Sequence, residues 1–271
     1  MGRLDDKVAF ITGVARGQGR THAVRLAREG ARIIGIDLAG PLPGAVPYDS
    51  ATPGDLEQTR RLVEAEGGKA HLAQGDVRDL DALKSVVEEG ISQFGGLDVI
   101  VANAGICVPE TWNEITPKSF ADVLDINVTG VWNTVMAGAD HLIARGGGSV
   151  ILTSSAAGVK MQPFMVHYTT SKHALVGMAR AFAAELGNHN IRVNTIHPGG
   201  VNTPMGSGSM QQRLEETFAA NPRLAGMGMT FLNQFVAEPE EVSNVVAFLA
   251  SDESTFITAS RISIDGGATV F

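Results

Sequence analysis

Short runs of β-branched and apolar residues alternate with amphipathic segments of helical length along nearly the whole chain. The predicted strands are Val8–Thr12, Arg32–Ile36, Ala70–Gln74, Val99–Ala102, Ser149–Thr153, Arg192–Ile196 and Ile262–Ile264. The predicted helices are Gly19–Glu29, Gly54–Glu66, Leu80–Phe94, Ser119–Ile143, His167–Leu186 and Pro239–Ala250. Because several strands are apolar throughout, they suit a parallel sheet that is covered on both faces. The alternation predicts an α/β fold with a doubly wound parallel sheet of about seven strands.

Two irregular segments interrupt this alternation. Leu38–Pro53 is rich in glycine and proline, and Met205–Val236 is rich in glycine and methionine. We find no repeat and no linker, so residues 1–271 are predicted to form a single domain. Long loops in compact domains are usually functional or mobile. We therefore interpret about 38–53 as an inserted loop and about 205–236 as a lid. The alternatives are a flexible surface loop for the first segment, and core or subunit interface for the second.

The composition excludes several classes of protein. A formal net charge of −8 argues against nucleic-acid binding, which requires clustered basic residues. The single cysteine, Cys107, excludes an internal disulfide framework and is typical of a reducing cytosol. No apolar run reaches the roughly 18 residues of a membrane span, and the N-terminus lacks the apolar core of a signal peptide. The seven histidines show no metal-ligand spacing, so no metal site is predicted. We expect a soluble, cytoplasmic protein.

A glycine-rich turn follows the first predicted strand and opens the first helix, at Thr12–Gly19. Such a turn lets the backbone approach a diphosphate at the positive end of a helix dipole, as in Rossmann-type folds. Its G-x-x-x-G-x-G spacing differs from the usual G-x-G-x-x-G, and a tight turn without a ligand is the alternative. Asp37 ends the second strand, 20 residues after Gly17, where a carboxylate can accept both adenosine ribose hydroxyls. That charge favours NAD over NADP, although Arg16 in the turn would favour a 2′-phosphate.

Tyr168 and Lys172 form the most informative pair in the chain, because residues i and i+4 share one face of a helix. A free tyrosine has a pKa of about 10, and a fixed positive charge nearby favours the phenolate. The pair can therefore supply general acid/base chemistry. Taken alone, such a pair is more often a half-buried tyrosine and a solvated lysine. His167 and His173 flank the pair and are expected to turn away from it, since i±1 neighbours do not share a face.

Together these motifs resemble the short-chain dehydrogenase/reductase family. The resemblance covers nearly the whole chain, with the motifs in family order and at family spacing. The matching segments are Thr12–Gly19, Asp76-Val77, Asn103-Ala104-Gly105, Asn127 within Asp125–Gly130, Ser154-Ser155, Tyr168 with Lys172, and Pro198–Pro204.

The resemblance implies four catalytic residues: Asn127, Ser155, Tyr168 and Lys172. The family's serine lies 13 residues before its tyrosine, which selects Ser155 over Ser154. Ser155 would hold the substrate oxygen against Tyr168, and Lys172 would lower the pKa of Tyr168 and bind the nicotinamide ribose. Asn127 would order a water that links Lys172 to solvent. Its alternative role is a helix-bending amide bonded to backbone.

The resemblance also implies NAD as cofactor and a set of contacts along it, in which Gly200 replaces a bulkier residue that is common in the family. The implied contacts are Gly13, Arg16, Gly17, Gln18, Gly19, Asp37, Leu38, Asp76, Val77, Asn103, Ala104, Gly105, Tyr168, Lys172, Pro198, Val201 and Thr203.

Within the family, the chain looks like the actinobacterial carveol-dehydrogenase-like subgroup. The segments that carry this likeness are the insertion Leu38–Pro53, Gly13–Arg20, Tyr48–Pro53, Gly130–Thr134 and Ile196–Pro198. The subgroup implies oxidation of alicyclic or terpene-type secondary alcohols, and association with the redox peptide cofactor mycofactocin. It also implies an inserted loop that buries NAD so that it exchanges poorly.

The substrate is expected to meet Ser155 and Tyr168 within apolar walls. The expected wall residues are Val108, Trp112, Met161, Phe164 and Met205, with further lid surface from Met210, Phe218, Met227, Met229, Phe231, Leu232 and Phe235.

The sequence therefore predicts an NAD-dependent enzyme that interconverts a hydrophobic secondary alcohol and its ketone. By resemblance it is a homotetramer, and an external redox cofactor or electron acceptor is a further expected partner. The alternatives are a catalytically silent nucleotide-binding sensor or scaffold, and a reductase of another ketone. A sugar-nucleotide epimerase is weaker, because such enzymes need a longer C-terminal substrate domain.

Overall fold

The computed structural model describes residues 2–206 and 208–271, and these contain one seven-stranded parallel sheet. Its strands are β1 (Val8–Thr12), β2 (Arg32–Asp37), β3 (Ala70–Gln74), β4 (Val99–Ala102), β5 (Gly148–Thr153), β6 (Ile191–Pro198) and β7 (Arg261–Ile264). The order across the sheet is β3-β2-β1-β4-β5-β6-β7. The predicted doubly wound parallel sheet is confirmed.

Within the described residues, eight α-helices connect and cover these strands. They are α1 (Gly17–Arg28), α2 (Pro53–Ala65), α3 (Leu80–Phe94), α4 (Pro117–Leu124), α5 (Gly130–Arg145), α6 (Val166–Leu186), α7 (Ser209–Ala220) and α8 (Pro239–Ala250). None of the helices in the described part of the chain is long and apolar enough to cross a membrane.

Alternation of side chains along β1 divides the core into two layers. Phe10 points into the layer that holds apolar residues of α3, α5 and α6. Ile11, its neighbour, points into the layer that holds residues of α1, α2 and α8. Both side chains are fully buried, as expected for a strand covered on both faces.

The position of β1 determines where a ligand can bind. This strand pairs with β2 through Ala9 and Ile33, and with β4 through Ala9 and Val99. The chain crosses from one half of the sheet to the other at this point, so the loops after β1 and β4 diverge. A crevice therefore opens at the carboxyl ends of these strands, where ligands bind in open α/β sheets.

Two predicted segments differ from the structure. The helix predicted for Ser119–Ile143 is interrupted at Asp125–Thr129 by a π-helical turn, in which the Gly130 N–H donates to the carbonyl of Asp125. Within the segment predicted as an irregular lid, Ser209–Ala220 forms helix α7. Its Gln, Glu, Leu and Ala residues are good helix formers, and the glycines and methionines around them obscured the signal.

Candidate active site

A cavity of about 320 Å³ opens at the carboxyl edge of the sheet. Its walls come from the glycine-rich turn, the ends of β2, β4, β5 and β6, the inserted loop, and the start of the lid. The remote motifs of the sequence thus converge on one cleft, because all parallel strands end at the same edge.

The glycine-rich turn presents a bare helix N-terminus to this cavity. Arg16 is the N-cap of α1 in extended conformation, it makes no side-chain cap, and no acidic residue occupies the first turn. A Cβ on Gly19 would overlap the carbonyl oxygen of Gly13, so only glycine permits this close packing. The free N–H groups and the helix dipole together favour a bound anion such as a diphosphate.

Asp37 lies at the end of β2 with its carboxylate already oriented by backbone. One carboxylate oxygen accepts from the Ala15 N–H and the other from the Ala39 N–H, both at 2.9 Å. These bonds fix the side chain beside the glycine-rich turn and leave its remaining lone pairs facing the cavity. A carboxylate held in this way can accept from ribose hydroxyls and repel a 2′-phosphate.

Thr12 and Asn103 connect β1 and β4 at the floor of the crevice. The Thr12 hydroxyl accepts from the Asn103 and Ala104 N–H groups at 3.2 Å, and the Asn103 amide donates to the Thr12 carbonyl at 3.0 Å. These bonds hold open the turn that leads to Gly105, which borders the cavity.

Helix α6 carries Tyr168 and Lys172 on the face that borders the cavity. The ammonium of Lys172 lies 5.6 Å from the centre of the Tyr168 ring and donates to the Thr153 carbonyl at 2.8 Å. Lys172 is only 4% exposed, and burial lowers its pKa to about 8. The side chain therefore remains mostly protonated at neutral pH while lying close to its point of titration.

The sequence predicts that Lys172 lowers the pKa of Tyr168, but the net effect of the surroundings is to raise it. Burial, reinforced by the nearby Cys107, raises the pKa of Tyr168, and a hydrogen bond with the Ser155 side chain opposes that rise. Ser155 also accepts from the Ala157 N–H at 3.1 Å, which fixes its hydroxyl at the end of β5. Ser155 is thus the serine that reaches Tyr168, whereas Ser154 donates to the Lys172 carbonyl and holds β5 against α6.

Asn127 lies in the π-helical turn and is fully buried. Its amide oxygen accepts from the Ile106 N–H at 2.8 Å, and its amide nitrogen donates to the Ile106 carbonyl and the Ser171 hydroxyl. These bonds match the alternative of an amide bonded to backbone. Asn127 joins the loop after β4 to the catalytic helix but does not border the cavity, and its role in a water relay stays a prediction.

The structure brings most of the predicted site residues to the cavity. All seventeen predicted cofactor contacts border it, together with Ser155 and Met205. Four of the predicted wall residues lie elsewhere: Val108 is buried in the core, Trp112 and Met161 are 82% and 45% exposed, and Phe164 packs on Phe218. Periodicity could not locate these four, because they belong to loops whose direction is set by contacts distant in sequence.

The lid is only partly in the cavity. Met205 and Met210 border it, whereas Met229, Phe231, Leu232 and Phe235 are exposed on the outer surface. Helix α7 is held over the cleft by an Arg213–Glu114 ion pair and by the edge-to-face packing of Phe218 on Phe164.

Sequence reasoning missed several residues near the reacting groups. Tyr48 of the inserted loop enters the cavity beside Cys107, which is a thiol whose pKa burial raises to about 12.

His167 does not turn to solvent: it is fully buried, accepts from the Tyr168 N–H at 2.9 Å and bonds Glu110 at 3.1 Å. His197 bonds the Ser155 carbonyl at 2.8 Å. In the sequence, these two histidines are marked by their positions alone: His167 precedes Tyr168, and His197 precedes the Pro198–Pro204 segment.

Two orphaned polar atoms test whether the cavity suits a dinucleotide. The Gln18 Oε1 and Thr153 Oγ1 atoms are buried without a hydrogen-bond partner in the described part of the chain, and both residues border the cavity. Buried polar atoms are normally satisfied, so these fit a ligand with polar groups at both positions. Together with the bare α1 N-terminus and the Asp37 carboxylate, they suit a dinucleotide. No cluster of potential metal ligands occurs within residues 2–206 and 208–271.

Comparison with known proteins agrees with this site. Residues 13–269 match the family model described as enoyl-(acyl carrier protein) reductase. The chain is 40% identical over 277 residues to (−)-trans-carveol dehydrogenase of Rhodococcus erythropolis, with 100% of both chains covered. The chain belongs to the short-chain dehydrogenase/reductase family and is an oxidoreductase.

Two solved structures are similar over 100% of both chains. A short-chain dehydrogenase from Mycobacterium paratuberculosis bound to NAD has a TM-score of 0.98 and 58% identity. Carveol dehydrogenase from Mycobacterium avium in complex with NAD has a TM-score of 0.92 and 44% identity.

Proposed function

We propose that the protein uses NAD to interconvert a hydrophobic, alicyclic or terpene-type secondary alcohol and its ketone. The observation that carries this proposal is that Ser155, Tyr168 and Lys172 border one cavity together with the glycine-rich turn and the apolar side chains of Met205 and Met210. The relatives named as carveol dehydrogenases support the substrate class.

Tyr168 transfers the hydroxyl proton of the substrate, and Ser155 holds the oxygen that carries it. In the oxidation direction, the Tyr168 phenolate accepts the hydroxyl proton of the alcohol while Ser155 holds the same oxygen by a hydrogen bond. In the reduction direction, the Tyr168 phenol returns that proton. Both groups act on one oxygen, and the Ser155 hydroxyl, which is fixed by the Ala157 N–H, lies next to Tyr168 in the orientation that this task needs.

Lys172 stabilises the phenolate form of Tyr168 when the proton is transferred. Its ammonium is fixed by the Thr153 carbonyl, so no reorganisation is needed when negative charge develops on the tyrosine. When bound, NAD⁺ would supply the hydride acceptor and a positive charge, and such a charge opposes the rise in the pKa of Tyr168 that burial causes. Asp37, Gln18 and the N-terminus of α1 would hold its adenosine ribose and diphosphate.

Replacing the proton acceptor tests the assignment. Tyr168→Phe keeps the ring and its packing but removes the hydroxyl, so kcat for alcohol oxidation should fall by about 10²–10⁴-fold. Binding of NAD, measured by fluorescence titration or nucleotide content, should be retained. His173→Asn, on the exposed side of the same helix, is the control and should keep the wild-type rate. Undiminished oxidation by the phenylalanine variant would refute the role of Tyr168.

Asp37 should determine the choice of dinucleotide. Asp37→Ser removes a charged acceptor, so the affinity of the nucleotide-free protein for NAD should fall by about 10–100-fold, and the NAD:NADP preference should shrink further as repulsion of the 2′-phosphate disappears. Fluorescence titration with both dinucleotides, after bound nucleotide has been removed, measures this ratio. Asp49→Asn, an exposed carboxylate of the inserted loop, is the charge-matched control. An unchanged ratio in the Asp37 variant would place the selectivity elsewhere.

We also propose that the inserted loop retains NAD and that an external acceptor reoxidises the nucleotide in place. The loop is tied across the cleft by the Arg16 guanidinium, which donates to the Asp49 carbonyl, and by Leu42 and Val46, which pack against the main core. Freshly purified protein should contain close to one NAD(H) per chain by extraction and absorbance, and should turn over cyclic alcohols only when an artificial electron acceptor is added. Val46→Ala, which loosens the loop where it packs on the core, should speed release of the nucleotide. An empty site in the wild-type protein would contradict retention.

The exposed apolar surface supports a homotetramer. Trp132 and Met136 of α5 and Val166 of α6 are 39–51% exposed, and a second apolar surface surrounds the edge strand β7 with Phe231, Phe256 and Phe271. Large apolar side chains that are exposed together on one part of a surface indicate a contact surface. Light scattering should give about four times the chain mass of 28.4 kDa. Trp132→Glu should lower that mass, whereas Leu62→Glu on α2 should not; a wild-type monomer would exclude the proposal.

A further inference from the structure

One end of the cavity is an apolar chamber lined by Tyr48, Cys107, Tyr168, Met205 and Met210. Met165 and Leu214 pack against these side chains in the same buried cluster. Cys107 follows β4, Met165 precedes α6, and Met210 belongs to α7 of the lid. Because Tyr168 is one of its walls, this chamber is where the non-reacting part of a substrate must lie.

Tyr48 is the one member of this chamber that comes from the inserted loop. Its hydroxyl accepts from the Cys107 N–H at 3.2 Å, which sets the ring against the loop after β4. Burial raises the pKa of Tyr48, so the side chain remains a neutral phenol that presents an apolar ring to the chamber.

The inserted loop has anchors that do not depend on Tyr48. Leu42 and Val46 pack against the main core, and the Ser50 hydroxyl accepts from the Leu42 N–H at 3.0 Å. At the beginning of the loop, the Gln74 amide donates to the carbonyls of Leu38 and Ala39 at 3.1 Å. Replacing the Tyr48 ring should therefore change the chamber while the loop backbone keeps its attachments.

We propose that Tyr48 is a specificity-determining residue, whose ring closes the substrate chamber beside Tyr168 and limits the bulk of the substrate that fits. The inserted loop then has two separable effects. Its backbone and core-facing side chains cover the nucleotide groove, while Tyr48 selects the substrate. This inference rests on the proposed function, because it assigns a size limit to the substrate of the same site.

The test compares two allylic secondary alcohols that share a reacting group and differ in bulk, cyclohex-2-en-1-ol and carveol. The ratio of kcat/KM for carveol to that for cyclohexenol should rise at least tenfold in Tyr48→Ala, since small changes of apolar contact shift selectivity by about 10–200-fold. Tyr48→Phe keeps the ring and should retain the wild-type ratio. Val46→Ala disturbs the same loop outside the chamber and should also retain it, even if nucleotide is released faster.

A binding measurement separates this inference from the proposed function. Calorimetric titration of each NAD-loaded protein with carvone and with cyclohex-2-en-1-one gives the same selectivity without turnover. If no variant oxidises either alcohol, the proposed function fails for these substrates, but a rise in the carvone preference of Tyr48→Ala still supports the size limit. An unchanged ratio in Tyr48→Ala, or an equal shift in Val46→Ala, would overturn it.

Discussion

The burial of the Lys172 ammonium is the constraint on which the rest of the site depends. A cation taken out of water costs several kcal/mol unless fixed dipoles replace its hydration. Here the Thr153 carbonyl at the end of β5 and the face of the Tyr168 ring provide that environment. Strand β5 and helix α6 must therefore keep one mutual position, and Ser154 maintains it by bonding the Lys172 carbonyl. The same position brings Ser155 within reach of Tyr168.

Two buried histidines extend this constraint to the backbone of the reacting residues. His167 accepts from the Tyr168 N–H and bonds Glu110 of the loop after β4, while His197 bonds the Ser155 carbonyl and the Thr195 hydroxyl. Burial lowers the pKa of both rings, so each is neutral at pH 7 and donates from one nitrogen while accepting at the other. The hydroxyls of Tyr168 and Ser155 are thus positioned by two side chains that do not border the cavity.

The sequence predicts best where chemistry depends on local spacing and on the ends of strands. Gly13, Asp37, Asn103 and Ser155 lie at the end of a strand or just after one, and a parallel sheet brings all such ends to one edge. Tyr48 and His197 could not be assigned in this way, because their roles come from contacts with Cys107 and Ser155, which lie 59 and 42 residues away in the chain. The expectation for Tyr168 also needed the structure: a nearby ammonium favours the phenolate, yet burial of the hydroxyl has the larger effect on its pKa.

The π-helical turn between α4 and α5 places Asn127 where it can bond both the loop after β4 and helix α6. A π-helical turn holds about one more residue than a turn of α-helix, which changes the direction of the side chains that follow. A regular helix through Asp125–Thr129 would therefore point Asn127 away from Ile106. With the wide turn, the Asn127 amide bonds both backbone groups of Ile106 and the hydroxyl of Ser171. Ile106 and Cys107 border the cavity, and Ser171 precedes Lys172 in α6. The turn therefore connects the wall of the cofactor groove to the catalytic helix through a single buried amide, so the two cannot move independently without breaking hydrogen bonds away from water.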